Sequence, residues 1–76
     1  MSLVLITRQG CHLCDEALGL LHDLGTTPEV VDVDADDKLF ALYDWRVPVV
    51  LVDGQVVAEG KITLEQLRRA LRPSTE

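Results

Sequence analysis

The sequence predicts an α/β domain with element order β-α-β-α-β-β-α, a four-stranded mixed sheet carrying helices on both faces. Three observations carry that prediction. A short apolar run, Leu3-Val4-Leu5-Ile6, is followed from Cys11 by helical periodicity, the change of period that marks a strand leading into a helix. Asp53-Gly54 sits between two β-prone runs, a strong two-residue hairpin signal. Finally, 25 of the 76 residues are Leu, Val or Ile, which a chain this short can hide only in one shared core.

The elements follow in order. Leu3 to Thr7 is short and continuously apolar, as expected of a central strand covered on both faces. Thr7-Arg8-Gln9-Gly10 breaks the pattern as a loop. Leu13, Ala17, Leu20, Leu21 and Leu24 then fall on one helical stripe, and Gly25 stands where a left-handed terminator is expected. Val30, Val31 and Val33 read as a second strand. Asp34 or Asp36 is placed to cap a short helix with Leu39, Phe40, Leu42 and Tyr43 as its apolar members. The run Val47 to Val52 is the third strand and Gln55 to Ala58 the fourth. Thr63 with Gln66 three places on reads as a capping box, and Leu64, Leu67 and Leu71 form the inner stripe of the last helix, which Pro73 ends. Residues 1–76 make one domain, with 73–76 read as a frayed tail.

Composition narrows the function. Thirteen acids against seven bases give a net charge of −6, which repels phosphate backbones and anionic lipid. No nucleic acid or membrane partner is expected. Lys61, Arg68, Arg69 and Arg72 gather near the end, a basic helix face read as solvated, with a docking role as the second reading. The longest apolar run is far short of the ~20 residues that cross a bilayer, and the start lacks the pattern of a secretory signal. A soluble, cytoplasmic domain is expected.

Cys11 and Cys14 are the only cysteines. Residues three apart on a helix have β-carbons ~5–6 Å apart, and a disulfide prefers ~3.5–4.5 Å, so closure needs only a modest adjustment. A helix N-terminus also offers unpaired amides and a partial positive charge, which favour a thiolate. Cys14 precedes Leu18 by four and Leu21 by seven and so faces the apolar side, while Cys11 lies at the cap or in the first turn, where its side chain can face solvent. An exposed attacking thiol with a sheltered resolving thiol is what thiol–disulfide exchange requires. Competing readings are two ordinary buried cysteines and half of a zinc site. A closed zinc site needs two more ligands, and His22 lies far along the same helix from His12. The rival from another class is a non-enzymatic module that shares a metal or iron–sulfur centre between two subunits.

Gly10-Cys11-His12-Leu13-Cys14-Asp15 after a first strand and Arg46-Val47-Pro48-Val49 before a hairpin, in this element order, resemble the small glutaredoxin-like proteins of the thioredoxin fold. The resemblance spans nearly the whole chain. It implies that Cys11 is the nucleophile and Cys14 the resolving cysteine of a thiol–disulfide oxidoreductase. It implies that the bond before Pro48 is cis and that the Val47 backbone is free to pair with an extended peptide or glutathione. Pattern alone favours a trans bond at the start of an edge strand. It also implies that Arg8 contacts a glutathione carboxylate. His12-Leu13 stands where glutaredoxins usually carry Pro-Tyr or a similar pair, and Gly60 alone where they carry two adjacent glycines. Two readings stand for His12, a cation beside the thiolate or a solvated residue, and two for Tyr43 and Trp45, core or substrate rim. A monomer with no embedded cofactor is expected. It would act on a disulfide-containing protein or a glutathione mixed disulfide and draw electrons from glutathione or a reductase.

Overall fold

In the computed structural model, which describes residues 2–71, the chain forms β1 (Leu3–Thr7), α1 (His12–Asp23), β2 (Glu29–Asp32), a 3₁₀ turn (Val33–Ala35), α2 (Asp37–Tyr43), β3 (Val49–Val52), β4 (Gln55–Glu59) and α3 (Leu64–Ala70). The expected order of strands and helices is present. Pro73 and the tail 73–76 lie outside the described residues. The strands make one mixed sheet in the order β2-β1-β3-β4, with β1 parallel to β2 and antiparallel to β3, and β3 antiparallel to β4.

Because successive side chains of a strand point to opposite faces, β1 feeds two cores. Leu5 joins Ala17 and Leu21 of α1, Leu67 of α3, Val50, Ala58 and Ile62 on one face. Ile6 joins Val33 and Val49 on the other, where Leu39, Tyr43 and Val47 pack against them. This double coverage explains why β1 is apolar from Leu3 to Ile6.

Local chemistry sets the helix ends. α1 stops in a Schellman arrangement around Gly25, at φ 79°: the Thr26 amide donates to the Leu21 carbonyl at 3.1 Å and the Gly25 amide to His22 at 2.9 Å. α3 starts in the expected capping box, with the Gln66 amide donating to Thr63 Oγ1 at 3.2 Å and the Thr63 amide to Gln66 Oε1 at 3.0 Å. Asp53 and Gly54 both take positive φ, 52° and 83°, as a tight hairpin between β3 and β4 demands.

Three expectations are corrected. Val33 is not part of β2, which ends at Asp32. The Asp32 carboxylate accepts the Asp34 amide at 2.8 Å, turning the chain out of the ladder and setting Val33 into the second core instead. In α2, capped by Asp36, only Leu39 and Tyr43 reach the core, while Phe40 and Leu42 are exposed. Residues four apart share a face, so a two-turn helix lays only one such row on the sheet. The Val47–Pro48 bond is cis, as the resemblance implies and against the pattern-only reading, and β3 is an interior strand with Pro48 just outside its ladder. Among the described residues, no helix is long and apolar enough to cross a membrane.

Candidate functional site

The site grows from the loop joining β1 to α1. The Cys11 amide donates back to the Arg8 carbonyl at 3.2 Å, and Gly10 between them takes φ 77°, a conformation that favours glycine. The turn delivers Cys11 to the N-cap of α1. There its Sγ accepts the Cys14 amide at 3.1 Å, so a backbone donor at the positive end of the helix points at the sulfur. Cys14, one turn on, falls in the row with Ala17 and Leu21 and is 2% exposed, whereas Cys11 is only partly buried. The two sulfurs are joined in a disulfide with the Cα atoms 5.2 Å apart.

Sheet register brings the Val47–Pro48 segment to the same end of the molecule. Val49 pairs with Ile6 and Val50 with Leu5. Continuing that antiparallel register sets Pro48 beside Thr7 and Val47 beside Arg8, at the root of the cysteine loop. The Pro48 carbonyl accepts the Gly60 amide at 2.9 Å. Among the described residues, neither backbone group of Val47 has a hydrogen-bond partner.

Arg8 is held within the protein. Its Nε and Nη2 donate to the two Asp34 oxygens, each at 2.9 Å, Nη2 also reaches Asp44 Oδ1 at 2.5 Å, and Nη1 donates to the Asp44 carbonyl at 3.3 Å. The guanidinium carbon lies 5.8 Å from the centre of the Phe40 ring. Hydrogen bonding to Asp34, and secondarily to Asp44, raises the Arg8 pKa, and the same bonds hold the Asp34 carboxyl below its ordinary range.

Arg46 is held likewise. Nη2 meets Glu59 Oε2 at 2.6 Å, Nε donates to the same carboxylate, and Nη1 donates to the Leu42 carbonyl at 3.4 Å. Hydrogen bonding to Arg46 lowers the Glu59 pKa. Tyr43 lies under Arg46, with the guanidinium carbon 5.1 Å from the ring centre, and belongs to the core, whereas Trp45 is 94% exposed. His12 is exposed and reaches along α1 to Glu16 at 3.0 Å, and Glu16 also meets Lys61 at 3.4 Å.

The structure thus gathers Cys11, Cys14, Arg8, Val47 and Pro48 at one end of the sheet and turns His12 back along its own helix. Sequence reasoning read Asp34 only as a possible helix cap and missed Asp44 and Glu59; the pairing of all three with the arginines crosses the fold and leaves no local motif. It also missed a groove of about 440 Å³ between the first turns of α1 and the edge strand β2. Thr7, Val30 and Asp32 supply strand residues to it, Cys14, Asp15 and Leu18 come from α1, and Arg8, Gln9 and Gly10 from the loop. Among the described residues, no cluster of three or more His, Cys, Asp or Glu side chains is placed to hold a metal ion.

Comparison with known proteins agrees with this geometry. A family model described as Glutaredoxin-like domain (DUF836) matches residues 2–72. The crystal structure of protein XcR50 from X. campestris is similar, with a TM-score of 0.82 and 32% identity over 92% of this chain and 95% of that one. The solution structure of protein Ne2328 from Nitrosomonas europaea has a TM-score of 0.80 and 29% identity, covering 92% of this chain and 89% of that one. The holo form of glutaredoxin C1 from Populus tremula x tremuloides shares the fold, with a TM-score of 0.61 and 19% identity over 92% of this chain and 75% of that one. No curated protein matches the sequence.

Proposed function

Since the chain belongs to the glutaredoxin-like domain family, we propose that it is a thiol–disulfide oxidoreductase working through Cys11 and Cys14. In the reduced protein the Cys11 thiolate attacks one sulfur of a substrate disulfide. A Cys11–substrate disulfide forms, and the other substrate sulfur leaves as a thiolate that takes a proton. The Cys14 thiolate then attacks Cys11 Sγ, releasing the second substrate thiolate and closing the Cys11–Cys14 disulfide. Two electrons have passed to the substrate. Two more, from glutathione or a dithiol reductase, return the pair to its thiols.

The observation that carries this reading is the unequal placement of the two sulfurs: Cys11 partly exposed at the helix cap with an amide aimed at it, Cys14 buried one turn behind. A buried thiol is shielded from substrates and meets only its partner sulfur, which suits the resolving role. The free Val47 backbone supports the assignment, because an extended segment can pair with it while its disulfide lies over Cys11. Pro48 holds that stretch at the mouth of the site. The protein would act as a cytoplasmic monomer without an embedded cofactor, where thiols are kept reduced between turnovers.

Substitution of each cysteine tests the roles. Cys11→Ser should abolish exchange with every disulfide. Cys14→Ser should still react once and accumulate a mixed disulfide at Cys11, seen as added mass on the intact protein. The opposite pattern would reverse the assignment.

A further inference from the structure

The arginines beside the site bear on which disulfides it accepts. Free carboxylates on small ligands are commonly gripped by the fork of an arginine. Glutathione carries two carboxylates and one ammonium group, so a pocket for it needs cations to spare. Here every guanidinium nitrogen of Arg8 is already hydrogen-bonded, to Asp34 and Asp44. Every nitrogen of Arg46 is bonded as well, to Glu59 and the Leu42 carbonyl. The Arg8 group, one cation with two carboxylates, is net negative, and Asp15 adds another carboxylate in the first turn of α1. Between the two arginine clamps, on the stretch that leads to Val47, stands the exposed Trp45, with the exposed Phe40 under Arg8. Such side chains fit a polypeptide better than a charged tripeptide.

Building on the oxidoreductase reading above, we propose that the site selects disulfides held in polypeptide segments bearing Lys or Arg and discriminates against glutathione. The attack of Cys11 on the substrate disulfide is unchanged. What changes is the encounter: a basic segment is drawn to the acidic surround of Cys11, and an anionic glutathione disulfide is repelled by it.

The test follows oxidation of the prereduced protein by four disulfides. These are glutathione disulfide, the uncharged bis(2-hydroxyethyl) disulfide, and two otherwise matched peptides whose cystine is flanked by Lys or by Glu. Each rate constant is taken relative to that of the uncharged compound. The Lys peptide should react about tenfold faster than the Glu peptide and glutathione disulfide, an effect of the size expected from electrostatic steering. Raising the salt to about 0.3 M should shrink that ratio several-fold. Asp34→Asn with Asp44→Asn frees the Arg8 fork and should raise the glutathione rate and lower the Lys-peptide rate. Should that variant fail to fold, the salt dependence of the native protein decides. Glutathione disulfide reacting as fast as the Lys peptide would overturn the proposed selectivity while leaving the oxidoreductase reading intact. No reaction even with the uncharged disulfide would overturn the oxidoreductase reading itself.

Discussion

Cys11 does two things at one position: its sulfur caps α1, and the same sulfur is the proposed nucleophile. A serine hydroxyl makes an equally good cap. Cys11→Ser should therefore unfold in urea within about 0.5 kcal/mol of the reduced native protein while losing all disulfide exchange, separating the chemistry from the fold. The acids beside Cys11 are unequal. Glu16 is engaged by Lys61 and His12, whereas Asp15 faces the groove that Cys14 lines. Asp15→Asn should make the Cys11 thiol ionise more readily than Glu16→Gln does, as read from thiolate absorbance against pH in a Cys14→Ser background. The arginine clamps give a pH dependence with a definite sign. The Asp34 and Glu59 carboxyls are depressed in the folded chain by hydrogen bonds from Arg8 and Arg46. The unfolded chain therefore binds more protons through the acid range. The stability contributed by these pairs is present in full above the ordinary carboxylate range and is lost as the pH falls below about 4. Arg46→Gln should flatten that acid-side loss in urea midpoints, and an unchanged slope would show that the pair does not contribute. At this scale the cysteines were legible, because both spacing and helix phase are local. Arg8 was not: its partners stand 26 and 36 positions away, and only the fold brings them together.

At the scale of elements, legibility followed the range of the interaction that ends each one. Gly25, Asp53-Gly54 and the Thr63–Gln66 box are resolved within a few residues, and the structure carries each as read. Val33 and α2 depend on what the sheet leaves open. Three valines in near-alternation look like a strand until Asp32 turns the chain, and four apolar residues look like a helix core until only one row meets the sheet. The contrast has measurable consequences. α3 buries Leu67 completely and starts in a closed capping box, so Thr63→Ala should cost about 1 kcal/mol of stability by chemical denaturation. α2 has no fully buried residue, and opening it exposes little apolar surface. Its amides should exchange with solvent faster than those in the middle of α1. Equal protection in the two helices would mean that the Arg8 clamp on Asp44 holds α2 as firmly as packing holds α1.

For the molecule as a whole, the two faces of the sheet are unequal, and the site is built across both. Among the described residues, the first core holds seven buried residues and the second three. Cys14 shares its helix row with Ala17 and Leu21 of the larger core, while Val47 and the α2 residues Leu39 and Tyr43 lean on the smaller. The helix of the proposed nucleophile is thus anchored in the firmer half, and the segment that would receive substrate rests on the looser half. A domain of this length has a total stability of only about 4–11 kcal/mol, so a single core truncation is a large fraction of it. Leu21→Ala, which empties part of the larger core beneath α1, should cost about 2–5 kcal/mol and lower the stability of every element together. Val33→Ala removes two methyl groups from the smaller core and should cost about 2 kcal/mol. Its effect should concentrate near α2: faster amide exchange there and slower reaction with peptide disulfides, with reaction toward a small uncharged disulfide nearly unchanged. That split separates a substrate-receiving face from a chemical one. If Val33→Ala slowed both kinds of disulfide equally, the smaller core would be supporting the cysteines themselves, and the division of labour between the two faces would not hold.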